Sequence, residues 1–176
     1  MRTVLRVLAA SCCAVLLACS FDEQDQANKN IMEANELLKA AEGMQVEAFD
    51  LHEAAFKAMT IEAVKENASK CVKKFDDAAD NYDRAAKLAE DASKLKVQKI
   101  VAEYYDLKRQ QFVKDAELAR IDSKLCKSAA ESGTKEKLLA DRDAVEKERN
   151  TLVTERNELN ERAEKMRETN ASAFQK

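Results

Sequence analysis

The sequence predicts an all-α protein, an elongated antiparallel helical bundle or coiled coil of three to four long helices. Three observations carry that expectation. The 176 residues include no Pro, two Gly and no Trp, and 36% are charged, so almost nothing breaks a helix or builds a tight turn. Apolar residues return in alternating steps of four and three over most of the length, the spacing of a helix packed along one stripe. Aromatic residues also pair seven apart: Phe49 with Phe56, Phe75 with Tyr82, Tyr105 with Phe112. Such pairs stand on one helix face two turns apart, which predicts three segments each bringing a bulky pair to a shared core.

At the N-terminus, Arg2 and Arg6 precede an apolar run over 7–18 that is too short to span a bilayer and ends in a small residue before a cysteine. The stretch Leu16-Leu17-Ala18-Cys19 resembles the lipobox of bacterial lipoproteins. That resemblance implies cleavage by the lipoprotein signal peptidase after Ala18 and a diacylglycerol thioether on Cys19, which becomes an acylated N-terminus. Leu17 departs from the Ala or Ser more frequent there. The alternative, Ala9-Ala10-Ser11-Cys12, would leave a short apolar core interrupted by Arg6. Since each buried methylene contributes about 0.8 kcal/mol and two or three chains hold stably, Cys19 is expected to be a permanent tether. By the family's sorting rule an Asp after the cysteine retains a lipoprotein in the inner membrane. Ser20 implies instead the outer membrane, facing the periplasm, with exposure at the cell surface as the alternative.

Residues 19–30 read as a polar leader between lipid and domain. From Leu37 a seam runs through Ala41, Met44, Ala48, Leu51, Ala55 and Ala58, with Gly43 off the stripe, where it weakens the helix without ending it. The phase changes near Ile61, and Asn67-Ala68-Ser69 offers a cap and corner. A cleaner seam follows through Val64, Ala68, Cys71, Phe75, Ala78, Tyr82, Ala85, Ala89 and Ala92, and stops at Lys96. A third begins with Val97, Ile100, Tyr104 and Leu107, passes polar Gln111 and resumes at Leu118, Ile121 and Leu125. The stretch 69–131 is either one helix or a hairpin turning near Gln98. Ser132-Gly133-Thr134 is the one strong break, with Gly133 suited to a left-handed cap and Thr134 to opening the next helix. The last segment repeats at seven through Leu138, Val145, Leu152, Leu159 and Met166. The expected organisation is a signal at 1–18, the leader at 19–30, a bundle core at 31–131 and a C-terminal heptad helix at 134–176.

Charge is unevenly spread: 19–66 carries 11 acidic and 4 basic residues, net −7, and 96–131 carries 8 basic and 6 acidic, net +2. An acidic arm beside a mildly basic one favours pairing within the chain, and a net-negative protein is a poor ligand for nucleic acid or anionic lipid headgroups. Neither is expected as a partner.

No catalytic constellation emerges. His52 is the sole histidine and lacks a second ligand at metal or nucleophile spacing. Asp76, Asp77, Asp80 and Asp83 place carboxylates within two turns, but Lys73, Arg84 and Lys87 lie three or four residues away as surface partners. Neither metal nor cofactor is expected. Cys71 and Cys126 remain once Cys19 is acylated, an even pair suited to a disulfide in an oxidising compartment. Two small buried cysteines are the alternative reading. Arg142, Arg149 and Arg156 recur at seven beside Leu138, Val145, Leu152 and Leu159. Arginines flanking a narrow apolar stripe read as a half-exposed helix, or as a docking seam for a partner helix or a second copy. The terminal Lys176 resembles the lysine by which murein lipoproteins are linked to peptidoglycan, which would imply such a linkage here. The match is a single residue, in a chain that is far longer and breaks at Gly133.

These features predict a non-enzymatic, lipid-anchored cell-envelope scaffold or adaptor that presents a coiled-coil surface to protein partners or to itself. A small-ligand or inhibitor-binding lipoprotein, with a cavity lined by Phe49, Phe56, Tyr82 and Tyr105, is the alternative. A surface-exposed lipoprotein that binds a host factor is a third.

Overall fold

A computed structural model of the chain describes residues 2–174, with side chains for 22–174 apart from Lys135 and Leu138. The side chains of Leu16, Leu17, Ala18, Cys19 and Leu138, and all of Lys176, lie outside the described residues. Four helices run in order, α1 (Arg2–Lys57), α2 (Ile61–Ser93), α3 (Lys99–Ser132) and α4 (Lys135–Thr169), followed by a short 3-10 turn at Ala171–Ala173. Neighbours pack antiparallel, α1 on α2, α2 on α3 and α4 on α3.

Each boundary has a local cause. α1 ends where Thr60 takes an extended backbone (φ −125, ψ 154) and its Oγ1 accepts from the Ala63 N–H at 3.2 Å, capping α2. The expected corner at Asn67-Ala68-Ser69 is therefore replaced by one at 58–60. Those three residues lie inside α2 with Ala68 fully buried, because a threonine cap before Ile61 already satisfies the helix start. The α2–α3 turn has neither Gly nor Asn. It is closed from a distance: the Lys96 N–H donates to Glu23 Oε2 at 2.6 Å. α3 ends at Gly133 in the left-handed region (φ 71, ψ 16), its N–H donating to the Ala129 carbonyl at 2.8 Å, and Thr134 precedes α4.

The core is a stack of layers with one small residue from α1 in each. Ala27, Ala34, Ala41, Ala48 and Ala55, seven apart, are all fully buried. They meet in turn Tyr105 with Val101, Phe112 with Ala85, Tyr82 with Ala119, Phe75 with Cys126, and Ala68 with Ala129. Alanine on one helix facing an aromatic ring on another lets the axes approach while filling the layer, as in heptad packing. Each buried ring contributes roughly 1.5–3 kcal/mol. A disulfide joins Cys71 to Cys126 in the fourth layer with a Cα–Cα separation of 6.0 Å, so 69–131 is a hairpin.

Two expectations are corrected here. The stretch 22–30 is helix, not a leader: Ala27 is fully buried, Glu23 holds the α2–α3 turn and Asn28 Oδ1 accepts from the Tyr105 hydroxyl at 3.0 Å. Its polar residues sit beside the alanine stripe, so composition alone hid it. The Phe49–Phe56 pair does not enter the core. Ala48 and Ala55 occupy the core positions, and the next residue on a helix lies about 100° round, leaving Phe49 and Phe56 at 44% and 41% exposure.

Candidate functional site: the cleft between α1 and α4

The outer face of α3 carries Asp115 and Asp122, seven residues apart and both buried. Running antiparallel, α4 presents Arg156 and Arg149 at the same interval. Arg149 Nε donates to Asp122 Oδ1 at 2.9 Å and its Nη2 to Oδ2 at 3.4 Å, while Arg156 Nε donates to Asp115 Oδ1 at 2.9 Å. Beside them Lys114 Nζ lies 2.9 Å from Glu117 and 3.0 Å from Glu155. Leu159 and Ala163 pack on Leu107 and extend the interface, and Phe174 stacks edge-on against Tyr104 with ring centroids 5.1 Å apart. Asp115 Oδ2 is buried without a hydrogen-bond partner.

Burial pushes the carboxyls of Asp115 and Asp122 above the ordinary aspartate value. The guanidinium groups of Arg156 and Arg149 pull in the opposite direction without overcoming it. His52 lies nearby on α1. Burial lowers its pKa and Arg142 adds to that, against the pull of Asp122, so the ring is neutral at neutral pH. Burial likewise raises the Tyr82 phenol, whose hydroxyl donates to Gln45 Oε1 at 2.9 Å.

Most of the expected docking seam is thus occupied within the chain. Arg149, Arg156 and Leu159 turn onto α3, and Val145 and Leu152 are half-buried. Arg142 alone of the three arginines remains exposed, and among the described residues its ion-pair partner is its neighbour Asp143. Arg149 and Arg156 meet α3 because Asp115 and Asp122 lie there at the matching spacing. The sequence reading missed those two aspartates. Two acids seven apart in one segment and two arginines seven apart in the next are the signal that could have found them.

Because α1 packs on α2 and α4 packs on α3, α1 and α4 face each other across an open side of the bundle. At one end of this cleft a cavity of about 250 Å³ is bounded by Phe49 and His52 of α1, Phe75 of α2, Leu125 of α3 and Arg142 and Val145 of α4. At the other end a space of about 310 Å³ lies among Asn28, Ile31, Tyr104, Arg167 and Phe174. The quartet Phe49, Phe56, Tyr82 and Tyr105 lines no common pocket: Tyr82 and Tyr105 fill separate core layers.

The acidic run on α2 is dispersed. Asp76 accepts from Ser123 Oγ at 2.6 Å, Asp77 pairs with Lys73 at 2.6 Å and Asp83 with Arg120. Among the described residues no group of three or more His, Cys, Asp or Glu is placed to hold a metal ion, and no helix is long and apolar enough to cross a membrane.

These features define the class as an all-α antiparallel bundle of four long helices, tied by the Cys71–Cys126 disulfide and open between its first and last helices. Comparison with protein-family models, curated proteins and solved structures finds no match for this chain.

Proposed function

We propose that the chain is a non-enzymatic, lipid-anchored scaffold of the cell envelope that holds a helical docking surface at a set distance from the outer membrane. The observation that carries this reading is the open α1–α4 side. Phe49 on α1 is 44% exposed there, facing an α4 wall that includes Arg142 and Asn150. A half-exposed aromatic ring bordered by polar side chains suits the apolar stripe of a partner helix. The lipobox resemblance at Cys19 supports the anchor. The length of α1 supports the spacing: from 22 to 57 the helix rises about 50 Å at 1.5 Å per residue, so the Phe49 end of the cleft is the end remote from Cys19.

A photo-cross-linking amino acid placed at Asn150, inside the cleft, should yield a discrete adduct in intact envelopes. The same group at Met32, on the outward side of α1 and 69% exposed, should not. Phe49→Lys, assayed well below its own melting temperature because the ring also packs on Phe75, should abolish the Asn150 adduct. An absence of adducts, or equal adducts from both positions, would overturn the reading.

A further inference from the structure

We propose that the cavity at the Phe49 end of the cleft is a binding site for a small molecule that combines a flat apolar ring with a single carboxylate. The cavity shares Phe49, Arg142 and Asn150 with the proposed docking surface, and the test below separates a small-molecule occupant from a side chain of a docked helix.

Size sets the first limit. An apolar cavity of about 150 Å³ accommodates benzene. The 250 Å³ here leaves room for a ring and a short chain of a few further atoms. The walls set the second. Phe49 and Phe75 meet edge to face, with centroids 5.1 Å apart and planes at 82°, and Leu125 and Val145 line the same space. A third ring fits this arrangement in the offset or edge-on geometry that aromatic groups prefer, and it would cover the half-exposed Phe49.

The charged groups set the third. Arg149 is committed to Asp122, a carboxylate only 4% exposed. Arg142 is not so committed: its ion-pair partner is the adjacent Asp143 at 3.2 Å, and the two side chains are 59% and 69% exposed. Adjacent residues on a helix point in different directions and exposed pairs are weak, so the guanidinium fork can turn to a carboxylate in the cavity at little cost. Glu146, one turn further along α4, and the Asp122 carboxylate held by Arg149 both line the cavity; Arg149 neutralises Asp122, and Glu146 disfavours a second negative charge beside the one that Arg142 would pair. The neutral His52 ring supplies a donor or acceptor without adding charge. Together these features select a monocarboxylate over a dicarboxylate or a phosphate ester.

The test uses the full chain with its disulfide intact and four probes: 3-phenylpropionate, neutral 3-phenylpropanol, phenylsuccinate and ringless butyrate. NMR titration should show 3-phenylpropionate shifting the Phe49 and His52 ring resonances with a Kd of about 1 mM or tighter, as suits about eleven heavy atoms. The other three probes should bind at least about tenfold more weakly. Arg142→Gln, at an exposed position, should leave the melting temperature unchanged and weaken 3-phenylpropionate about tenfold. Equal binding of the acid and the alcohol, or an Arg142→Gln variant that binds normally, would overturn the proposal. So would silence from every probe at 10-fold the expected Kd; with cleft cross-links intact, that silence would assign the cavity to a side chain of a docked helix.

Discussion

Arg149→Ala should destabilise the fold more than Asp122→Ala, although both substitutions break the same ion pair. The difference lies in what each leaves behind. Asp122 is 4% exposed and Arg149 37%. Without Arg149 the aspartate keeps its burial and loses two hydrogen bonds, at 2.9 and 3.4 Å; an uncompensated buried charge costs about 3–5 kcal/mol. Without Asp122 the guanidinium turns into cleft water, and the loss is that of charged hydrogen bonds, about 1.5–3 kcal/mol.

The pH dependence has a definite sign. Burial already raises the Asp122 pKa against the pull of Arg149, and removing Arg149 raises it further. In the variant the native state therefore holds a proton at pH values where the unfolded chain, with an ordinary aspartate near 3.9, has released it. Stability then falls as pH rises from that value through the raised one. The deficit of Arg149→Ala relative to wild type should be small at pH 4 and full at pH 7. Urea unfolding followed by circular dichroism at pH 4, 5.5 and 7 measures it, in a His52→Gln background so that the neighbouring imidazole does not titrate. Equal costs for the two substitutions, or a deficit independent of pH, would refute the reasoning.

Gly133→Ala adds a Cβ 2.6 Å from Ile61 Cγ2 and 2.9 Å from Lys65 Cε at a residue with φ 71. It should lower stability by about 1–2 kcal/mol, read from the urea midpoint. Gly43→Ala, inside α1 with nothing within 4 Å of the new methyl, should raise stability by roughly 0.5–1 kcal/mol, and a lower midpoint would contradict an undisturbed helix there. Reducing Cys71–Cys126, which are 55 residues apart, should remove about 4 kcal/mol in the chain-entropy model. Unfolding with and without dithiothreitol tests that loss, and the cross-linked peptide should be found by non-reducing mass spectrometry. Palmitate labelling in cells should disappear in Cys19→Ala, and equal labelling of the two proteins would reject the anchor.

Helices and their buried faces were largely legible in the residues. All nine seam positions of α2, from Val64 to Ala92, are buried. Gly133 sits in the left-handed cap because no other residue in that stretch takes positive φ so readily. The α2–α3 turn was hard to read for the opposite reason: 94–98 holds no Gly or Asn, and besides a local bond from the Val97 N–H to the Leu95 carbonyl at 2.8 Å it is held by Glu23, 73 residues earlier. The candidate cleft was less legible still. Phe49 and Phe56 repeat at seven as Phe75 and Tyr82 do, and periodicity by itself does not tell a ring in the core from one displaced a single position towards the cleft.

The sequence by itself determined that the chain is helical, the break at Gly133 and the buried stripe of α2, since these depend on spacing and backbone preference along one chain. The corner at 58–60 and the hairpin between α2 and α3 came only with the tertiary structure. Only the tertiary structure decided which helix meets which stripe. The bridges from Asp122 to Arg149 and from Asp115 to Arg156 span 27 and 41 residues, and they direct the arginine face of α4 onto α3. A heptad repeat carries no address for its partner; that comes from matching charge and volume across an antiparallel interface. Those matches close α4 onto α3, leaving the bundle open between α1 and α4.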